Sequence, residues 1–305
     1  MEEMATSNRI HSLTNQSLTD RISRYLDKLT PKNRIVGDFI KENPRKAMFM
    51  TIAELAIVCK VSEATVVRFV SQLGYQGYAD FQQSLRDLVD TDLTLLERAD
   101  MINLLAPGTD RFRKVISEEI DNLRLVYEKT DLAEIERVVL LLKNSPQIYV
   151  VGSRASYTMA YYMGWSLTKV RKGIQIYKGS DKTTIDWLTI APAQTLVVMF
   201  AVTRYPNELI HIARHTIRQA HTLILITDSS TCPLIQFAHQ TIITPSRYIP
   251  FNGSPTTMCC LINYMIQELA SQLGESMKDH QEQLEQAYLE NDILFNMRRD
   301  SPETR

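Results

Sequence analysis

Five short apolar runs constrain the fold of this chain more than any other feature. They are Ile148-Tyr-Val-Val151, Ile174-Gln-Ile-Tyr177, Thr195-Leu-Val-Val-Met-Phe200, Thr222-Leu-Ile-Leu-Ile226 and Thr241-Ile-Ile243. A strand with one face in water alternates apolar and polar residues, whereas a strand covered on both faces is apolar throughout. These runs are rich in β-branched residues and are separated by stretches of helical period. They predict five parallel strands with helices on both faces, an α/β three-layer sandwich. Ahead of them, from Leu18 to about Leu105, the period is helical and no strand is expected. The change falls at Ala106-Pro107-Gly108, which stops one helix before another begins, running from about Arg111 to Tyr127. Asp131 and Glu134 have the spacing of a capping box at the start of the helix that feeds the first strand. The tail from Gly274 to about Arg298 is charged and helical.

The 305 residues exceed the common size of one domain, about 100–150 residues, so more than one is expected. The division read from the pattern is a flexible N-terminus (1–17), a helical domain (18–92), linker helices (93–129), an α/β domain (130–275) and a C-terminal helix and tail (276–305). Lys plus Arg number 34 against 35 Asp plus Glu, a formal net charge of −1. That excludes a strongly basic nucleic-acid binder at the level of the whole chain but leaves room for a local basic surface. No apolar run approaches the roughly 18 residues of a membrane helix, and Met1-Glu2-Glu3-Met4 does not begin a secretory signal. Cys59, Cys232, Cys259 and Cys260 form no C-x-x-C pair and read as small buried hydrophobes in a reducing compartment. A cytoplasmic protein is expected.

Thr51 to Leu73 carries the most specific local signal. Thr51 and Glu54 can form a capping box, after which Ile52, Leu55 and Ala56 share a face. Cys59-Lys60-Val61 breaks the period, and Ser62 can cap a second helix bearing Val66, Val70 and Leu73 at i, i+4 and i+7. Ala56 is small where two helices cross, and Val61 and Val66 plug the angle between them. This pattern specifies a helix-turn-helix, although a plain helical hairpin shares part of it. In the first reading the second helix enters a DNA major groove. Glu63, Thr65 and Arg68 point outward near its start, with Lys60, Ser62 and Ser71 nearby. Arg can hold guanine bidentately, Thr can meet a base edge or a thymine methyl, and Lys60 suits a phosphate. Basic and acidic residues are balanced through Asp92, so one copy has no broad electrostatic footprint. High affinity then needs two copies on a palindromic double-stranded operator.

The order Leu29-Thr30-Pro31, Ile40-Lys-Glu-Asn-Pro44, Thr51-Ile-Ala-Glu-Leu-Ala56, Val61-Ser-Glu-Ala-Thr-Val-Val-Arg-Phe69 and Leu73-Gly-Tyr-Gln-Gly-Tyr-Ala-Asp-Phe81 resembles the N-terminal domain of RpiR-type transcription regulators. Such regulators carry a sugar isomerase (SIS) domain next, and residues 130–275 resemble one. The resemblance implies an all-α helix-turn-helix domain followed by a SIS-like sandwich with a parallel five-stranded sheet. It also implies a sugar-phosphate sensor that forms homodimers or tetramers, lacks isomerase activity and needs no cofactor.

Ligands of open parallel sheets sit beyond the carboxyl ends of the strands. The first such loop is Gly152-Ser-Arg-Ala-Ser156, where Gly152, Ser153, Arg154 and Ser156 are candidate effector-binding residues. Against the family pattern G-x-G-x-S, Gly152 and Ser156 match and Arg154 replaces the second glycine. A loop in which Gly152 makes the turn and Ser153 or Ser156 caps the following helix fits the residues equally well. In the exit Ala201-Val-Thr-Arg-Tyr-Pro-Asn-Glu208 the candidates are Thr203, Arg204 and Glu208. Here the family pattern is S-x-S-G-x-T-x-E. Glu208 matches, while Ala201, Thr203, Arg204 and Pro206 stand at the positions of Ser, Ser, Gly and Thr. Two hydroxyls and a glycine are absent, which opens the ligand class beyond phosphates. Thr227-Asp-Ser-Ser-Thr231 reads as an ordinary Asx-type loop.

Other features carry less. His211 and His215 have ligand spacing on a helix but no H-E-x-x-H context, so solvated side chains are expected rather than a metal site. His221 and His239 read as strand-edge residues, Cys259-Cys260 as core, and Met159, Met163 and Trp165 as core or dimer interface. No G-x-S-x-G elbow occurs, and the single glycine of the first loop is no dinucleotide fingerprint. Two alternatives to an effector-sensing regulator follow. One is a sugar-phosphate isomerase with an appended helical domain, for which Glu208 is the only ionisable base in the loops. The other is a regulator whose SIS-like domain only dimerises.

Overall fold

A computed structural model describes residues 29–48, 50–92, 94, 109–244 and 254–295. They divide into two compact units, one holding the residues up to 118 with 229–231 and 254, the other the remainder. The helix stop expected at Ala106-Pro107-Gly108 and the N-terminal segment before Leu29 lie outside the described residues.

In the first unit α1 (Pro31–Glu42), α2 (Pro44–Ala47), α3 (Ile52–Val58), α4 (Glu63–Gln72) and α5 (Tyr78–Asp92) follow one another. Each boundary has a local cause. Thr30 caps α1 with Pro31 in its first turn, and Pro44 prevents α1 from continuing past Asn43. At α3 the capping box forms in full, Glu54 N donating to Thr51 Oγ1 at 3.2 Å and Thr51 N to Glu54 Oε2 at 2.7 Å. The core is built on Val36, Ile40, Leu55, Val66, Phe69, Val70, Phe81 and Leu85. The Leu-Gly-Tyr-x-Gly-Tyr exit has a clear packing role. Gly74 takes a φ of +86° just past α4. Tyr75 and Phe69 then meet Phe81 edge to face at centroid distances of 5.5 and 6.0 Å, and Tyr78 Oη donates to Met50 O at 2.8 Å.

The α/β architecture is as expected. After α6 (Thr109–Lys129) and α7 (Leu132–Asn144) come β1 (Ile148–Gly152), α8 (Ala155–Leu167), β2 (Ile174–Lys178), α9 (Thr183–Thr189), β3 (Leu196–Ala201), α10 (Asn207–Arg218), β4 (Thr222–Thr227), β5 (Gln240–Ile243), α11 (Thr256–Leu273) and α12 (Lys278–Glu290). The strands are all parallel in the order β2-β1-β3-β4-β5. Alternate residues point to opposite faces. Ile148, Val150, Val198, Phe200, Ile224 and Ile226 pack with α7, α8 and α11 residues such as Val138, Met163 and Ile262. Tyr149, Val151, Val197, Met199, Leu223 and Leu225 pack with Leu188 of α9 and with Leu209, Ile212 and Ala213 of α10. The three central strands are therefore almost wholly buried, while β2 and β5 form half-buried edges.

Two local expectations are corrected. Asp131 caps α7 through Ala133 N at 2.9 Å, and no reciprocal bond from Glu134 completes a box, because the aspartate reaches the second helical amide instead of the third. The C-terminal helix ends at Glu290, and Asn291 to Phe295 follow as turn and coil.

Candidate functional site

Two places bring the candidate residues together. The first is the turn and helix after α3. Val61 N reaches back to Ala56 O at 2.9 Å, and Lys60 makes the tight corner at a φ of +52°, a conformation that costs a side-chain-bearing residue. Lys60, Ser62, Glu63, Arg68 and Ser71 are exposed, as the sequence leads one to expect. Thr65 is not: it is 4% exposed, and its hydroxyl pairs with Ser62 Oγ at 2.9 Å. The inner face of α4 takes residues 65, 66, 69, 70 and 73, so Thr65 sits one step round from Val66 and turns toward the core. Ser62 stands at the cap position, but its hydroxyl pairs with that of Thr65 and accepts from no backbone amide of α4.

The outer face of α4 includes Glu63, Ala64, Val67, Arg68 and Ser71, of which Ala64 and Val67 escaped the sequence reading. The signal was available, since steps of three and four from Ala64 reach Val67, Arg68 and Ser71. Beside this face lies a groove of about 730 Å³ whose lining includes Thr30, Lys32, Arg68 and Ser71. Asn33 Nδ2 donates to Gln72 Oε1 at 2.6 Å and fixes α1 against α4.

The second place is the crevice between the carboxyl ends of β1 and β3. There the chain leaves β1 toward one sheet edge and β3 toward the other. Gly152 pairs in register with Phe200 across the two strands. A Cβ on Gly152 would stand 2.5 Å from Ser156 O and 2.9 Å from Ala160 Cβ, so only glycine lets α8 start this close to the strand. Ser153 is buried and its Oγ donates to Glu208 Oε1 at 2.7 Å, tying the two loops together. Ser156 Oγ accepts from Ser153 N at 3.1 Å and donates to Ser153 O at 2.7 Å. Thr203 donates both its amide, at 2.9 Å, and its hydroxyl to Asp228 Oδ2, and Tyr205 Oη donates to Asp228 Oδ1 at 3.2 Å. Asp228 and Tyr205 thus belong to this site. No short motif could reveal the link, because Thr203 and Asp228 lie on loops of different strands.

The Arg154 and Arg204 side chains are exposed and, among the described residues, make no hydrogen bond or ion pair. Both adopt left-handed backbone, with φ of +51° and +67°. They keep the conformation that glycine favours at the two positions where the family pattern has glycine. The Glu208 carboxylate is held below its usual range, chiefly by the Ser153 hydroxyl and further by Arg154 and His211 nearby.

The features set aside behave mostly as structural groups. His215 Nε2 lies 2.9 Å from Thr189 Oγ1, His239 Nδ1 accepts from Leu223 N at 3.0 Å, and His221 Nε2 lies 3.1 Å from Leu188 O. Among the described residues no group of three His, Cys, Asp or Glu side chains is placed to hold a metal. Cys59 and Cys232 are buried, and burial pushes the Cys232 thiol up to about 11. Cys259 is half-buried with its sulfur 3.6 Å from Met159, whereas Cys260 is exposed, on the side of α11 away from the sheet, and is not a core residue. Met163 is core, and Trp165 is half exposed with Lys169 Nζ 4.6 Å from its ring centroid.

Family models match both units. A helix-turn-helix domain of the rpiR family covers residues 16–91, and a SIS domain covers residues 141–269. The chain carries an rpiR-family helix-turn-helix domain followed by a SIS domain.

The HTH-type transcriptional regulator HexR of Pseudomonas aeruginosa is 31% identical to this protein over 146 residues, 48% of this chain and 50% of HexR. The bifunctional protein glk of Paraburkholderia xenovorans is 23% identical over 253 residues, 83% of this chain and 39% of that protein. The chain thus spans half or less of the length of these two relatives. Among solved structures, Vibrio vulnificus NanR complexed with ManNAc-6P aligns with a TM-score of 0.56 at 22% identity, covering 92% of this chain and all of NanR. The sugar isomerase domain of an RpiR transcription factor from Sphaerobacter thermophilus gives 0.51 at 22% identity over 59% of this chain and 97% of that one. At these identities the shared feature is the fold. Among the described residues no helix is long and apolar enough to cross a membrane.

Proposed function

We propose that this protein is a cytoplasmic transcription regulator that binds a palindromic double-stranded operator and senses an anionic sugar, in the first place a sugar phosphate. The observation that carries the DNA-binding half is the division of α4 into two faces. Its inner residues are committed to the core, and its outer residues Glu63, Ala64, Val67, Arg68 and Ser71 are left exposed beside a capped, tightly turned α3. Arg68 reads a base, Val67 and Ala64 offer apolar contacts to thymine methyls, and Lys60 and Ser62 meet phosphates. A homodimer, or a tetramer built from two, supplies two such helices to two half-sites. The sensing half is supported by the crevice between β1 and β3, built by Gly152, Ser153, Ser156, Thr203 and Glu208 with Arg154 and Arg204 exposed at its mouth, and by the ManNAc-6P held by NanR on the same fold. An effector shifts operator affinity only by favouring one arrangement of the paired reading helices over another.

An isomerase reading is disfavoured by one group. A general base working near neutrality is tuned upward from the carboxylate range. Glu208 is shifted downward and already accepts a hydrogen bond from Ser153. The test selects operator fragments from a random duplex pool with the full chain, then follows their binding by fluorescence anisotropy with and without a panel of sugar phosphates. The expected result is a palindromic consensus whose affinity changes at least tenfold with one of them. Turnover of a sugar phosphate by a chain that selects no DNA sequence would overturn the proposal.

A further inference from the structure

Building on the reading of the crevice as the effector site, we infer that the effector's anion is gripped from outside by the guanidinium groups of Arg154 and Arg204, while the hydroxyls of the β3 loop take no part in holding it. The inference comes from accounting for the side-chain hydroxyls of the two loops, together with the Ser153 and Thr203 amides. The Thr203 amide and hydroxyl both serve Asp228 Oδ2, and Tyr205 Oη serves Asp228 Oδ1. Ala201 has no polar side-chain atom, and Pro206 has neither a side-chain donor nor an N–H. On the first loop the Ser153 hydroxyl serves Glu208, and its amide serves Ser156 Oγ. The Ser156 hydroxyl serves Ser153 O. The hydroxyls at the β3 exit are thus filled by the protein's own carboxylate, and a second anion brought there meets like charge.

The cationic groups on these two loops are the pair of arginines. They stand on adjacent loops at strand ends paired in register, joined by the Ser153–Glu208 bond, with their side chains exposed. Each is held at a positive φ that is costly for a residue with a side chain. Guanidinium forks take a planar carboxylate as well as a phosphate. The ligand class is therefore a sugar bearing either anion on its accessible end, with no requirement for the tetrahedral group.

The test uses the full chain and titration calorimetry. The probes are hexose 6-phosphates, the matching aldonic and uronic acids, their neutral parent sugars and inorganic sulfate. The variants are Arg154→Gly, Arg204→Gly and Thr203→Val. Glycine suits both backbone positions, so the first two variants are expected to fold at least as stably as the parent. The expected result is binding of at least one anionic sugar and no binding of its neutral parent. Each Arg→Gly change should weaken it at least about tenfold, and Thr203→Val should change it less than about twofold. Three outcomes overturn the inference: loss of binding in Thr203→Val with the glycine variants unaffected, a neutral sugar binding as tightly as its acid, or no probe binding at all. The same titrations repeated by operator anisotropy separate the two readings. A neutral sugar that moves operator affinity leaves the sensor standing and removes the arginine grip. An anion that needs both arginines yet leaves operator affinity unchanged does the reverse.

Discussion

Replacing Gly152 by alanine tests the construction of the crevice most directly. The added Cβ would stand 2.5 Å from Ser156 O, 2.8 Å from Ser156 C and 2.9 Å from Ala160 Cβ. Ordinary contacts of that kind begin near 3.4 Å, so the first turn of α8 must retreat by roughly 1 Å from β1. Two of the three atoms are backbone, which has no rotamer to escape into. The site lies at the carboxyl end of a fully buried strand. Overpacking of this kind costs about 1–3 kcal/mol, and a backbone obstacle places Gly152→Ala at the upper end, about 3 kcal/mol. For a domain of this size each kcal/mol lowers Tm by about 2–4 °C, so the α/β unit should unfold about 6–12 °C earlier. Differential scanning calorimetry of the full chain provides the measurement. The control is Gly77→Ala, where an added Cβ meets nothing within 4 Å and which should stay within about 0.5 kcal/mol of the parent. The variant Gly152→Ala,Ala160→Gly should recover little, because the two Ser156 backbone contacts persist. A single Gly152→Ala variant within 1–2 °C of the parent would refute the close approach of α8 to β1.

Other perturbations probe the reading helix and the loops. Thr51→Ala breaks the capping box of α3 and should destabilise the helical unit by about 1 kcal/mol in urea titrations, with the α/β transition unmoved. Arg68→Ala should lower affinity for the selected operator by about 1–3 kcal/mol and relax preference at one position of each half-site. An equal loss on all sequences would make Arg68 a phosphate contact instead. Glu208 has a folded-state pKa below its unfolded value, so its contribution to stability is present above the ordinary carboxylate range and is lost as pH falls through the folded pKa. Ser153→Ala removes the first cause of that shift. In ¹³C-detected titrations Glu208 should then protonate at a higher pH, nearer the ordinary value; an unmoved midpoint would show that the hydroxyl does not hold the carboxylate.

Much of the scaffold was legible because its causes are local or periodic. A strand covered on both faces has to be apolar throughout, which is why the runs of β1, β3 and β4 announced themselves, while β2 and β5 are half-buried edges that kept enough of the pattern to be read. The Thr51–Glu54 box spans three residues, so its partners are adjacent in any helix that starts there. Thr65 misled for a physical reason: a threonine is equally at home against DNA or beneath a helix, and its inward turn depends on where α4 rests on the Phe69 and Phe81 core. The glycine-like conformations of Arg154 and Arg204 follow from how β1 and β3 hand their chains to the next helices, which no property of arginine announces. The Ser153–Glu208 and Thr203–Asp228 bonds join residues 55 and 25 apart. The amino-acid pattern by itself determined the two kinds of layer, the order of the elements and the loops at which a site could lie. Only the tertiary structure decided which hydroxyls in those loops are already bonded and which two arginine side chains stay exposed, because hydrogen bonds between loops exist only once the sheet has brought the strand ends side by side.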